Sequence, residues 1–147
     1  MSPHLEEKLY REFPDLFEYA IPGRSKVEYP IEYGIECGDG WFHPIFTLCC
    51  MIHNEFINRQ RDIEFTKRHN ERVDAGELIG KRRRVPKKIK YPKVVQIKSK
   101  FGSLRFYVNN TTTEMASAIS YTELLCSVID PLNGQFKPFP TTKDQDE

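Results

Sequence analysis

The sequence predicts an α+β domain, and three observations carry that prediction. Apolar residues recur at helical spacing in three stretches, near the start, the middle and the end of the chain. Between the second and third stretches, two short runs alternate apolar and polar residues on either side of a turn at Gly102, the pattern of an antiparallel hairpin. The chain has 147 residues, the size of one domain with an ordinary core. The expected architecture is a small, mostly antiparallel sheet, with a hairpin over about 94–108 and a strand over about 31–37. A long central helix over about 42–69 packs on it, with an N-terminal and a C-terminal helix.

Each element has a local cause. Ser2-Pro3 is a helix start, a hydroxyl N-cap followed by proline in the first turn. Leu5, Leu9 and Phe13 then form one apolar stripe, and Pro14 ends the helix by pushing its predecessor out of the helical region. Residues 18–30 read as loop, and a strand from about Ile31 to Cys37 runs into Gly38-Asp39-Gly40. The central helix starts near Trp41 or Phe42, because Pro44 must lie in its first turn. Ile45, Leu48, Cys49, Ile52 and Phe56 mark its buried face, and beyond Phe56 it is expected to run exposed toward Asn70. Residues 71–93 form a hydrophilic connector of the kind usually solvated and mobile. In the hairpin, period two places Val95, Ile97, Leu104, Phe106 and Val108 inward, leaving Gln96, Lys98, Lys100, Arg105 and Tyr107 outside. Thr111 to Glu114 reads as a capping box for the last helix, whose buried stripe is Met115, Ile119, Thr122, Cys126 and Ile129. The domain is expected to cover residues 1–135, followed by an acidic flexible tail over 136–147.

Net charge is +1, and that total conceals an uneven distribution. Residues 1–80 hold nine Lys/Arg against fifteen Asp/Glu, and residues 109–147 hold two against six. Residues 81–108 hold eleven basic residues and no acid. Such asymmetry steers anions to one face, unless the acidic segments fold against the basic one and neutralise it. No apolar run approaches a membrane span, and the N-terminus lacks the features of a signal peptide. Four cysteines, two of them adjacent, make a poor disulfide framework, so the expected setting is a reducing cytoplasm.

Two signatures stand out: Cys37-Gly-Asp-Gly-Trp41 running into an apolar helix with Leu48-Cys49, and Val94 to Val108 with its Lys100-Phe-Gly-Ser-Leu-Arg-Phe-Tyr107 core. Together they resemble a family of small, largely uncharacterised phage and prophage proteins. The resemblance implies a phage-type accessory protein working in the host cytoplasm. Many members carry a C-x-x-C-G element after the hairpin, similar to half a zinc ribbon. The corresponding stretch here is Cys126-Ser-Val-Ile129-Asp130, without the second cysteine or the glycine, so no metal is expected.

Candidate chemistry is sparse. Cys49 and His53, one helical turn apart, have the residue types of a thiol nucleophile and its base, but an apolar helix face disfavours the thiolate. Asp39, between two glycines at a helix start, is either a binding acid or a capping one. The Gly38–Gly40 turn also offers amides as an anion seat. No phosphate-binding loop, nucleophile elbow or carboxylate pair is present, so no catalytic residue and no cofactor are assigned. Binding has more support: Lys98, Lys100, Arg105 and Tyr107 share the outer hairpin face, with Arg82, Arg83 and Arg84 close in sequence. The same residues also fit a soluble sheet edge. The leading expectation is non-enzymatic binding of an anionic, nucleotide-like ligand, such as a host-defence nucleotide signal, with a homo-oligomer open. The alternatives are binding of nucleic acid, or docking on an acidic host or virion protein.

Overall fold

The computed structural model describes residues 1–24 and 34–138. Among them, α1 (Pro3–Glu12), α2 (Phe42–Asp74), β1 (Lys93–Lys100), β2 (Ser103–Asn109) and α3 (Thr113–Ser127) follow in order, an α+β fold. Short 3-10 turns at Glu18–Ala20 and Asp39–Trp41 lead out of α1 and into α2. No described helix is long and apolar enough to cross a membrane.

The first helix begins and ends where Pro3 and Pro14 require, though the Ser2 side chain makes no capping bond. Instead the Ser2 carbonyl accepts from the Leu5 and Glu6 amides. Leu9, Leu16, Phe17, Trp41, Ile45, Leu48 and Ile52 are fully buried against Val94, Ile97 and Leu104 of the hairpin, making one core between the helices and the inner sheet face. Burying side chains of this size contributes about 1.5–3 kcal/mol each.

The hairpin pairs from Lys93↔Asn109 to Lys100↔Ser103, with an irregularity between Val94 and Gln96. That irregularity corrects the inward assignment of Val95. Val94↔Val108 and Gln96↔Tyr107 leave Val95 as the extra residue of a bulge, so Val94 is buried and Val95 exposed. Past the bulge the expected parity holds: Ile97, Leu104 and Phe106 are buried while Lys100 and Tyr107 are exposed. The strand expected over about 31–37 falls partly outside the described residues. Within them, Glu36 alone bridges to Lys98 in parallel, its N–H donating to Ile97 O (3.0 Å) and its carbonyl accepting from the Ser99 N–H (2.8 Å). Residues 25–30 of the expected 18–30 loop and 139–147 of the expected tail also lie outside the described residues.

Two further expectations change in the middle of the chain. The central helix does not run bare beyond Phe56: Ile63, Thr66 and Asn70 are buried along one stripe. Its end is set by Gly76, whose left-handed backbone (φ +71°) lets the Gly76 and Glu77 amides donate to Val73 O and Arg72 O. The basic connector then turns back and is held against the helix. Asn70 donates to Arg83 O (2.9 Å) and accepts from the Arg83 N–H (2.8 Å), while His53 Nδ1 meets the Tyr91 hydroxyl at 2.8 Å. Between Asn70 and His53 the helix advances roughly 26 Å at 1.5 Å per residue. Tyr91 also packs on Phe56 (ring centres 4.7 Å apart), so the returning chain spans about 21–26 Å from Arg83 to Tyr91, roughly 2.6–3.2 Å per residue, an extended path. Residues 81–92 therefore form an extended strap held against the helix at both ends. Finally, α3 is capped by Thr112, whose hydroxyl accepts from Met115 N, one residue later than the expected box. Its buried stripe holds at Met115, Thr122 and Cys126, with Ile129 buried just beyond its end.

Candidate functional site

Much of the Gly38–Trp41 turn is engaged inside the fold. Trp41 is fully buried and its indole N–H donates to Ile129 O (3.0 Å), while the Gly40 amide donates to Pro131 O (2.8 Å). A Cβ on Gly38 would stand 1.9 Å from Pro131 O, and one on Gly40 2.4 Å from Asp130 O. Both glycines exist because the loop after α3 is pressed onto them. Asp39 accepts the Ser2 N–H (2.6 Å), which holds its carboxyl below the ordinary 3.8 and ties α1 to this turn. The Gly40 amide and the Asp39 carboxyl of the anion seat expected here are thus bonded to the protein's own groups.

The hairpin brings the other predicted residues together. Lys98 faces Arg105 across the strands, with Tyr107 exposed beside them. The Lys98 ammonium lies 5.7 Å from the centre of the Tyr107 ring. Glu36 bridges to Lys98 from the far edge, so one row across the sheet reads Glu36, Lys98, Arg105 and carries an acid the sequence pattern did not reveal. On the free edge of β2, Glu123 of α3 accepts the Phe106 N–H (2.9 Å) and blocks strand addition there. At the tip, sequence reasoning missed Phe101. It is 94% exposed in left-handed backbone (φ +52°), followed by Gly102 at φ +72°, a two-residue turn of the type that favours Asn-Gly. A bulky aromatic is costly in that conformation. Lys100 lies 5.6 Å from its ring centre, so each outer lysine is matched with one open aromatic. The signal was available in sequence, since only one residue separates Lys100 from Gly102.

The strap supplies a second cationic region. Arg82 is ion-paired with Asp74, and Lys93 with Glu18 at 2.7 Å. The other nine basic residues of segment 81–108, among them Arg83, Arg84, Lys98, Lys100 and Arg105, make no ion pair among the described residues. Among the described residues, internal neutralisation of the basic segment is thus limited to two contacts. Beside the start of the strap lies a cleft of about 360 Å³ lined by Phe65, Arg68, His69, Arg72 and Leu78, which the sequence reading did not single out. His69 Nε2 sits 3.2 Å from Lys81 O, joining cleft and strap. Arg68 and Arg72 hold only loose ion pairs with Glu64 and Glu77 at 3.9 Å, open to competition by a ligand.

Cys49 and His53 do not form a pair: Cys49 is fully buried, burial pushes its thiol well above the ordinary value, and His53 turns to Tyr91. Cys37, Cys49, Cys50 and Cys126 are all free thiols. Burial pushes the Cys126 thiol up to about 12. Among the described residues, no group of three or more His, Cys, Asp or Glu could hold a metal ion. No protein-family model, curated protein or solved structure matches this chain.

Proposed function

We propose that this protein binds a phosphate-bearing ligand without chemistry, and that the ligand is an extended nucleic-acid strand. The observation that carries this reading is the outer hairpin, where two exposed rings, Phe101 and Tyr107, each stand beside a lysine. Single-stranded nucleic acid is held by that combination, with bases stacking on rings and phosphates meeting cations. The strap extends the same chemistry with Arg83, Arg84, Lys87, Lys88 and Lys90, which make no ion pair among the described residues, on a backbone fixed by Asn70. A surface of this kind is open, which suits a polymer better than an enclosed nucleotide. In the setting suggested by the resemblance to phage and prophage proteins, the role is that of an accessory protein acting on nucleic acid in the host cytoplasm.

One observation favours a second reading, capture of a single nucleotide signal. The cleft at Phe65, Arg68, His69 and Arg72 offers a ring and two guanidinium groups in about 360 Å³, within the range of small-ligand sites.

Fluorescence anisotropy with a labelled single-stranded oligonucleotide separates the two. The expected result is micromolar binding that weakens steeply with salt. Arg83→Glu with Arg84→Glu should weaken it further, while Lys137→Ala leaves it unchanged. Oligonucleotide binding insensitive to salt, or absent at low salt, overturns the first reading. A mononucleotide that raises the melting temperature in an Arg72-dependent way establishes the second instead.

A further inference from the structure

The outward side of α3 is apolar and has no partner among the described residues. Tyr121 (65% exposed), Leu124 (69%) and Val128 (42%) follow one another along the helix, and Leu132 (79%) and Phe136 (71%) continue the patch beyond it. Phe136 is fixed there by its bridge to Ile129 and by the Lys137 N–H donating to Val128 O (2.8 Å). The N-terminal half of the same side is small: Ala116, Ser117 and Ser120 are exposed on it. These positions lie on i, i+4 rows that converge on Leu124 and Val128, so they make one continuous stripe. Among the described residues, one charge adjoins the stripe: the Lys137 ammonium, which donates to Ser127 O (2.9 Å) at its C-terminal end. The two acids of α3 lie off it and are engaged elsewhere, Glu114 with Arg59 (4.0 Å) and Glu123 with the Phe106 N–H.

We propose that this stripe is a homodimer interface in which two α3 helices pack antiparallel about a two-fold axis near Ser120 and Tyr121. Three features select a second copy as the occupant. The first is size complementarity: in the antiparallel arrangement, Leu124 of one copy lies over Ala116 and Ser117 of the other and Val128 over Thr113, bulk against small residues. A two-fold contact demands this kind of self-matching patch. The second is charge, because the one cation beside the stripe, Lys137, sits at its C-terminal end, and an antiparallel pairing keeps the two copies of that cation at opposite ends of the contact. The third is area. The five open apolar side chains expose roughly 500 Å² per copy, at the upper end for a monomer's patch. Paired, they bury about 1,000 Å², the lower bound of a specific interface, which fits a reversible dimer. The inference does not rest on the proposed ligand. The stripe and the hairpin tip share no residue, and either can fail alone.

Sedimentation equilibrium of the full chain, from low to several hundred micromolar, tests it. The wild type should reach twice its 17.3 kDa mass. Leu124→Glu should raise the dissociation constant at least about 100-fold. Ser120→Arg, placed at the small end, should do the same, and it keeps the test valid if the first variant folds poorly. Melting temperatures measured on dilute protein should not move, since both sites are open. Ser120→Cys should cross-link copy to copy on mild oxidation, and the added Leu124→Glu should abolish the cross-link. A wild type that stays monomeric at the highest concentration, or a dimer indifferent to both variants, overturns the proposal.

Discussion

Two turns in this molecule share a recipe, glycine beside a large aromatic, and the fold uses them in opposite ways. At Gly38–Trp41 the ring is fully buried, its N–H is bonded, and both glycines are crowded by the backbone of residues 130–134. At Phe101–Gly102 the ring stands in solvent and a Cβ on Gly102 would meet nothing within 4 Å. The first glycines are required by what approaches them, the second by the turn's own dihedral angles. A turn's composition therefore says little about its use; what lies opposite its Cβ directions decides.

The largest expected effect separates the two kinds of glycine. Gly38→Ala forces a methyl group into the Pro131 carbonyl and displaces the loop that accepts the Trp41 N–H. A cost of about 3 kcal/mol or more is expected, typical of severe overpacking. Gly102→Ala has open space and only a left-handed backbone to satisfy (φ +72°), so about 1 kcal/mol is expected. Urea unfolding of both variants checks the contrast, and equal losses would break it.

The sequence pattern makes the first turn's architecture legible but not its partner. Helical and alternating periods report which face of an element is buried, and they place all three helices and the hairpin. A period carries no record of what arrives from elsewhere in the chain. Val95 shows the limit within one strand, because one extra residue at the bulge reverses a face and leaves no mark on composition. The strap shows it over longer range. Its charges read as a solvated linker, while its order comes from Asn70, a single polar residue on a helix that otherwise reads as exposed. Of the candidate site, the hairpin cations and Tyr107 were legible from alternation. Phe101's place in the turn was legible beside Gly102, but its exposure and backbone angle, like the Phe65 cleft, were not.

The next effect tests whether the strap differs from a linker. Asn70→Ala removes both bonds from the buried helix residue to the exposed Arg83 backbone and leaves that amide and carbonyl without a side-chain partner. A loss of about 1–3 kcal/mol is expected, with faster hydrogen exchange at the Arg83 amide. Oligonucleotide affinity should fall several-fold, because cations on a loose chain must be ordered on binding. Unchanged exchange at Arg83 would return the strap to the status of a linker.

A smaller effect of opposite sign belongs to the hairpin tip. Phe101→Asn relieves a bulky residue in left-handed backbone and produces the Asn-Gly pair that this turn favours. Stability should rise by about 0.5–1 kcal/mol. If the ring stacks on a base, oligonucleotide affinity should fall by about 1–3 kcal/mol. A gain in one measurement with a loss in the other is the signature of strain kept for binding. A gain in stability with full affinity would make Phe101 an ordinary exposed side chain.

The smallest effect concerns the buried turn and depends on pH. The Ser2 N–H holds the Asp39 carboxyl below its ordinary 3.8, so the ionised form is favoured more in the folded than in the unfolded chain. Its stabilisation is fully present above the unfolded value and disappears as pH falls through the lower folded one. Asp39→Asn keeps an acceptor for Ser2 but removes the charge. Wild type should therefore exceed the variant in stability by a constant margin from pH 7 to 5, and the margin should shrink toward pH 3. Asp130, lowered in the same way by the Asn133 and Leu132 amides, titrates in both proteins and cancels in the difference. A margin that persists undiminished at pH 3 would mean that Asp39 acts through its shape alone, and the tie between α1 and the turn would then owe nothing to charge.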